Sequence, residues 1–168
     1  MIRTIWTLVL LLSVHDPHIR SRHAALLDAI TSGARTSPTL RHLVDRIEAS
    51  DVVVYLEVRR SEFTSVAGHL SFVSAAGGRR YLYVAVDPRY VGCQLIGLLG
   101  HELQHAAEIA DEPSVMDERS LAAFYRRVGF SVDGPGVERF DSRAAIDAGR
   151  RVLRETSTLT AVPAVRVQ

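Results

Sequence analysis

Within the stretch LLGHELQHAAEI, His101 and His105 stand four residues apart, with Glu102 directly after the first. On a helix that advances about 100° per residue, two histidines at this spacing share a face. Each can direct a ring nitrogen at the same point, as a tetrahedral zinc ion (Zn2+) requires of two ligands. Glu102, rotated by about 100° from the first histidine, falls beside the coordination sphere rather than in it. There its carboxylate can take a proton from a water whose pKa a zinc ion has lowered to about 7. The pattern predicts a metal centre with Glu102 as general base, and the chemistry it predicts is hydrolysis of a peptide by metal-activated water.

Such a helix has to be held against a core with its histidines facing a cleft. The apolar pattern predicts a helix from residue 91 or 92 to about residue 110. His101, His105 and Glu108 fall in a stripe roughly 60° wide, with Gln94 and Leu98 on the same side and Leu95, Leu99, Leu103, Ala106 and Ala110 opposite. Gly97 and Gly100 cost about 1 kcal/mol each relative to Ala in a helix, so they predict a neighbouring element in close approach rather than a solvated surface. Upstream, DVVVYLEVRR reads as a strand, and GHLSFVSAAGGRRYLYVAVD as a hairpin turning at Gly77-Gly78. In its second arm Leu82, Val84 and Val86 alternate with Tyr81, Tyr83 and Ala85, and Asp87-Pro88 ends it. Apolar residues recurring at three and four predict two further helices over residues 21–30 and 39–47, with TSGARTSP as the turn between them. After the histidine helix, DEPSVMDE reads as an acidic turn and helix start facing water, with Pro113 and Ser114 suited to the boundary. SLAAFYRRVGF reads as a helix carrying Tyr125.

The whole chain sets the limits. At 168 residues, 47% hydrophobic and 23% charged, it has the size and mix of one globular domain, placed here at residues 18–160. The net charge is +1 and the arginine pairs are scattered, so no continuous basic tract exists and no nucleic-acid partner is expected. Cys93 is the sole cysteine, which excludes an intramolecular disulfide and a cysteine-rich metal cage; its apolar neighbours predict a buried thiol. In residues 1–14, Arg3 precedes the run IWTLVLLLSV, which has the charged start and short apolar middle of a signal peptide and is too short for a comfortable membrane span. The following HDPHIRSRHAALL lacks a small-x-small cleavage pattern. The segment therefore reads equally as an export signal, implying a secreted or periplasmic protein, as an uncleaved anchor with membrane contact, or as a first element of the core.

The motif GHELQH, with an alternating strand before it and a candidate ligand segment after it, resembles the zincin-like metallopeptidases over about residues 50–155. It is most similar to small bacterial gluzincin-like proteins, whose third-ligand helix carries a glutamate followed three residues later by alanine. In ERFDSRAAIDAGRRV, Asp141 takes the glutamate's place and Ala144 the alanine's. The resemblance implies an α+β domain of zincin-like type, with N-terminal helices, a small mostly antiparallel sheet, the HExxH helix across it and C-terminal helices that supply the third ligand. It implies zinc-dependent peptide hydrolysis with a peptide or protein substrate, His101, His105 and Asp141 on the metal and Glu102 as the base. Aspartate is one methylene shorter than glutamate, so Asp141 requires its helix to sit closer. Glu138 and Glu108 stand as alternatives, although Glu108 is better suited to a hydrogen bond with a ligand histidine. The resemblance also raises Tyr125 as a group that steadies an oxyanion, beside the plainer reading as a core or rim aromatic. His15, His18, His23, His42 and His69 are expected to be solvated or structural, and residues 81–86 to offer the edge along which an extended substrate lies. Two other classes remain beside the enzyme: a catalytically weak or inactive zincin-like binding module, and a structural protein in which HELQH binds no metal.

Overall fold

The computed structural model describes residues 16–60, 67–132 and 139–158. The segment 1–14, His15 and Glu138 lie outside the described residues. Along the chain run β1 (Ile19–Ser21), α1 (Ala24–Thr36), α2 (Pro38–Glu48), β2 (Val52–Val58), β3 (Gly68–Ala76), β4 (Arg79–Val86), α3 (Gly92–Ala110), α4 (Glu118–Val128), β5 (Phe130–Val132), β6 (Arg139–Asp141) and α5 (Arg143–Ser157). The architecture is α+β, as expected, and no described helix is long and apolar enough to cross a membrane.

The main sheet has the order β1-β2-β4-β3. It is not mostly antiparallel: β1 with β2 and β2 with β4 are parallel, and only β3 with β4 is antiparallel. Chain path explains the difference. β1 reaches β2 through a crossover of two helices, which returns the strand in the same direction. β3 then runs outward in the opposite sense, and the hairpin brings β4 back between β2 and β3. Gly77 and Gly78 form the two-residue turn with φ of 59° and 73°, the left-handed pair that matches the twist of a hairpin. β4 is therefore an interior strand and the expected substrate edge at residues 81–86 is absent; the edge strand is β3, whose outer end carries exposed Val73, Ser74 and Ala75.

One face of this sheet is apolar. Val52, Val54 and Leu56 of β2 stand in register with Arg80, Leu82 and Val84 of β4, and those five apolar side chains pack against Leu26, Ile30, Leu40, Leu43 and Ile47 of the N-terminal helices and Leu99, Leu103 and Ala106 of α3. The other face carries Tyr55, Tyr81 and Tyr83, half-buried or exposed, with the rings of Tyr55 and Tyr81 stacked. TSGARTSP is not a loop. α1 continues through it to Thr36, because Gly33 lies where a Cβ would come within 2.6 Å of Ile96 Cγ2 and 2.7 Å of Leu40 Cδ2; the glycine lets helices approach. The break falls at Ser37 alone, whose Oγ accepts a hydrogen bond from Leu40 N at 3.0 Å and donates one to Glu155 of α5. β1, unforeseen in the sequence, is too short to show a period; Glu48 accepts from the backbone N–H of His18, and His18 Nδ1 donates to Ile47 O at 3.0 Å.

Two devices fix α3. At its C-terminal end the guanidinium of Arg80, 2% exposed, donates to Ile109 O and Glu112 O at 2.7 Å and to Ala110 O at 3.2 Å, while gripping the Asp51 carboxylate at 2.7 and 2.8 Å. The last carbonyls of a helix lack intrahelical partners and carry partial negative charge, so one buried cation satisfies and complements them. Along its length α3 packs most extensively on α5. A Cβ at Gly100 would lie 2.7 Å from Val152 Cγ2, one at Gly97 would lie 3.0 Å from Leu153 Cβ, and one at Gly149 would lie 3.0 Å from His101 Cβ. The close approach inferred from Gly97 and Gly100 is thus supplied by α5. In a free helix Gly→Ala gains about 1 kcal/mol, whereas overpacking a filled core costs about 1–3 kcal/mol. Gly100→Ala is accordingly expected to be net destabilising, and more so than Gly97→Ala; urea midpoints of the two variants check the sign and the order.

Candidate metal centre

α3 presents His101 and His105 one turn apart, and the junction between β6 and α5 presents Asp141 opposite them. His101 Nε2 lies 3.5 Å and His105 Nε2 3.4 Å from Asp141 Oδ1, and the two imidazoles meet edge to face with centroids 4.9 Å apart. The three residues bring their ligand atoms within 4.8 Å of one another, a group that could hold a metal ion. Two imidazole nitrogens and a carboxylate oxygen are a donor set suited to a divalent cation.

Asp141 does not stand on the third-ligand helix, as its alignment with a helical glutamate implied. It is the last residue of β6, where it pairs with Phe130 of β5, and Ser142 after it is the N-cap of α5. Ser142 Oγ accepts from Ala145 N at 3.0 Å, and Asp141 Oδ1 accepts from Ser142 N at 2.7 Å, so the local DSRAA sequence starts the helix one residue beyond the carboxylate and locks its orientation. The glycine contacts between α3 and α5 bring that helix start close enough for the short side chain to reach both histidines.

Behind the histidines, Glu108 gathers three donors. His105 Nδ1 lies 3.1 Å from its Oε2, Tyr125 OH donates to the same oxygen at 3.0 Å, and Ser142 Oγ donates to Oε1 at 2.6 Å. Tyr125 OH also lies 2.8 Å from His105 Nδ1. With Nδ1 directed at Glu108, the Nε2 of His105 is left facing Asp141. Glu108 therefore stands behind the ligand group. Tyr125, 6% exposed, is a core aromatic that braces the same bond rather than a group turned toward an oxyanion.

Glu102 is buried, and its Oε2 is the one buried side-chain nitrogen or oxygen among the described residues without a hydrogen-bond partner. An unpaired buried polar atom is costly, so this oxygen calls for a partner, such as a water or a ligand, that the described chain does not supply. Space for the carboxyl comes from Gly68 on β3: a Cβ there would lie 2.7 Å from Glu102 Oε1.

The charges fit a cation between these groups. Burial opposes a proton on His105, but hydrogen bonds to Asp141 and Glu108 overcome it and raise its pKa to about 9. Burial and the neighbouring His105 charge hold His101 below the ordinary histidine value. Burial also raises Glu102 to about 7, and it pushes the Tyr125 hydroxyl, which faces the Glu108 charge, upward so that it stays protonated. The carboxylates thus create a negative potential that one imidazole alone answers with a proton, a place a divalent ion would take.

The group opens on a cleft of about 980 Å3 whose walls include Gly68–Ser71 of the edge strand, with Gln94, Leu98 and Gly149 on the helical side. The other histidines are elsewhere or exposed: His18 is structural, His23 pairs with Glu57 at 2.9 Å on the surface, His42 is exposed, and His69 sits exposed on β3 at the cleft. Cys93 is half-buried, because α3 begins at the surface; its Sγ lies 3.6 Å from Thr156 O. The acidic segment does face water apart from Val115, and helix α4 is capped by Asp117 in a reciprocal pair with Ser120 rather than at Pro113 and Ser114. Sequence reasoning missed Ser142 and Gly68. A serine two residues before the alanine pair Ala144-Ala145 was the available signal for the first, and nothing local indicates the second.

No protein-family model, no curated protein and no solved structure matches the chain. The fold and the ligand group define an α+β domain with a candidate His2Asp metal centre. Removing a ligand and removing its support should differ. Glu108→Gln is expected to weaken divalent-metal binding by about 10-fold and Asp141→Ala by more than that. Asp141→Glu should also weaken it, because the packed α3–α5 contact leaves no room for the helix to withdraw. Competition titrations of zinc against a chelating dye measure all three.

Proposed function

We propose that this protein is a zinc-dependent peptide hydrolase of zincin-like organisation. The observation that carries the reading is the convergence of His101, His105 and Asp141 beside the buried, unpartnered carboxyl of Glu102, at the base of a cleft bordered by an edge strand. His101, His105 and Asp141 would hold the ion through Nε2, Nε2 and the carboxylate. When bound, zinc supplies Lewis acidity toward a water and toward the scissile carbonyl.

The chain's own residues account for the rest. Glu102 Oε2 makes no bond that would have to be broken before it accepts a proton from water. Its burial, which disfavours the charged form, helps it to hold that proton until it is released to the departing amine. Glu108 and Tyr125 keep the His105 ring turned with Nε2 into the cleft. The free edge of β3 can take an extended peptide as an added strand, aligning a backbone carbonyl without demanding a particular side chain. Supporting the zincin-like organisation are the HExxH motif on α3, an antiparallel edge strand over that helix, and a following helical segment that contributes Asp141 at its start.

Glu102→Gln keeps the volume and removes the proton acceptor. It is expected to retain folding and zinc stoichiometry while peptide hydrolysis falls by roughly 10²-fold to 10⁴-fold. The wild-type activity should vanish with a chelator and return with zinc. Zinc bound at one per chain with no cleavage across broad peptide libraries would select a binding module instead, and an unchanged rate in fully loaded Glu102→Gln would remove Glu102 from the chemistry.

A further inference from the structure

The cleft differs in charge from the chain as a whole. The sequence carries a net charge of only +1, yet Arg59 and Arg60 at the end of β2 and Arg150 on α5 all line the opening, and all three are exposed. Among the described residues none of these three makes an ion pair, whereas other exposed or partly exposed arginines do: Arg20 with Asp16, Arg46 with Asp111 and Arg127 with Glu112. Among the described residues that line the opening, the exposed acid is Glu118; Asp87, although it lines the cleft, is fully buried and clamped by Arg89 at 2.9 Å. The inner acids do not neutralise the rim. Asp141 and Glu108 face the histidines, and a divalent ion there would balance their two charges.

Placement matters as much as number. The Arg59 N–H donates to Val86 O at 2.9 Å, which carries β2 past β4 and sets Arg59 and Arg60 on the wall beside the start of β3. Arg150 follows Gly149, whose backbone packs on His101, and so stands on the helical wall. The helical side of the lining is otherwise largely apolar, with Leu98, Leu121, Ile146 and Leu153. Exposed positive charge from β2 and from α5 beside an apolar lining matches an extended chain that combines apolar residues with flanking negative charge. Three arginines, two of them adjacent in sequence, are too few to track a phosphate backbone.

We propose, resting on the reading of this cleft as a peptide site, that its substrates are acidic peptides, with aspartate or glutamate flanking an apolar segment and Arg59, Arg60 and Arg150 as the residues that select them. The test reads binding, so that it stands apart from catalysis. Three fluorescein-labelled peptides of equal length share an apolar centre and carry flanking Glu, Gln or Lys; their affinities for zinc-supplemented full-length Glu102→Gln, in which turnover is expected to be suppressed, are measured by fluorescence anisotropy. The Glu peptide is expected to bind about 10-fold tighter than the Gln peptide, and the Lys peptide more weakly still. The spread should shrink to about 3-fold or less at about 0.5 M salt, where exposed charges are screened within a few ångströms. Reversing charge in Arg60→Glu/Arg150→Glu, both exposed positions outside the proposed metal group, should invert the order. Equal affinities, an order that survives the reversal, or tighter binding of a single-stranded oligonucleotide than of the Glu peptide would each overturn the proposal. Cleavage of the same peptides by the wild-type protein is scored separately: the expected order with no cleavage upholds acidic recognition and refutes hydrolysis, and cleavage without the order does the reverse.

Discussion

The close packing of α3 on α5 is the constraint on which the site depends. Helices whose facing positions are glycine can approach until backbone meets side chain, and here Gly97 and Gly100 on one helix and Gly149 on the other leave no room for a single added carbon. That approach decides where α5 begins, and therefore where Asp141, immediately before its cap, comes to lie. A short carboxylate reaches both histidines because the helix start is near, not because the side chain extends. The helix-propensity cost of glycines in α3, about 1 kcal/mol each, is a cost of this geometry.

Around that contact the polar groups are arranged so that orientation is overdetermined on one side and left open on the other. Glu108 ties α3, α4 and the start of α5 together through His105, Tyr125 and Ser142, which leaves the His105 ring little freedom. Arg80 fastens the far end of the same helix to β4 and Asp51, whose carboxyl it holds below the usual range through its hydrogen bonds and charge. Glu102, in contrast, is enclosed with an oxygen that nothing in the described chain satisfies. Rigid support beside an unsatisfied carboxyl fits the proposed proton transfer, since the supporting bonds would not have to be broken if Glu102 changed its proton.

The sheet contributes to the site through its edge rather than its centre. By returning the chain between β2 and β3, the Gly77-Gly78 turn makes β4 an interior strand and leaves the more polar β3 outermost, over Glu102. Gly68 on that edge strand admits the Glu102 carboxyl, so the strand at the sheet edge also shapes the space around that group. The arginines at the opening come from β2 and α5, elements far apart in sequence, and their convergence gives the cleft a charge that the composition does not reveal.

Much was legible in the chain itself where the interactions are local. The spacing of His101, Glu102 and His105, the extent of α3, the Gly77-Gly78 hairpin, β2 and the helix with Tyr125 all follow from periodicity and turn chemistry, because each depends on neighbours within a few residues. Gly97 and Gly100 even announced a close neighbour, without saying which. What only the tertiary structure decided was non-local: that α5 is that neighbour, that Asp141 sits on a strand end instead of a helix, that β4 is interior and the sheet largely parallel, and that Gly33 joins helices rather than ending one. β1, three residues held by Glu48 and β2, has no signature of its own. Strand order, helix approach and the meeting of distant charges are set by which surfaces bury one another, and a linear pattern records the surfaces but not their pairing.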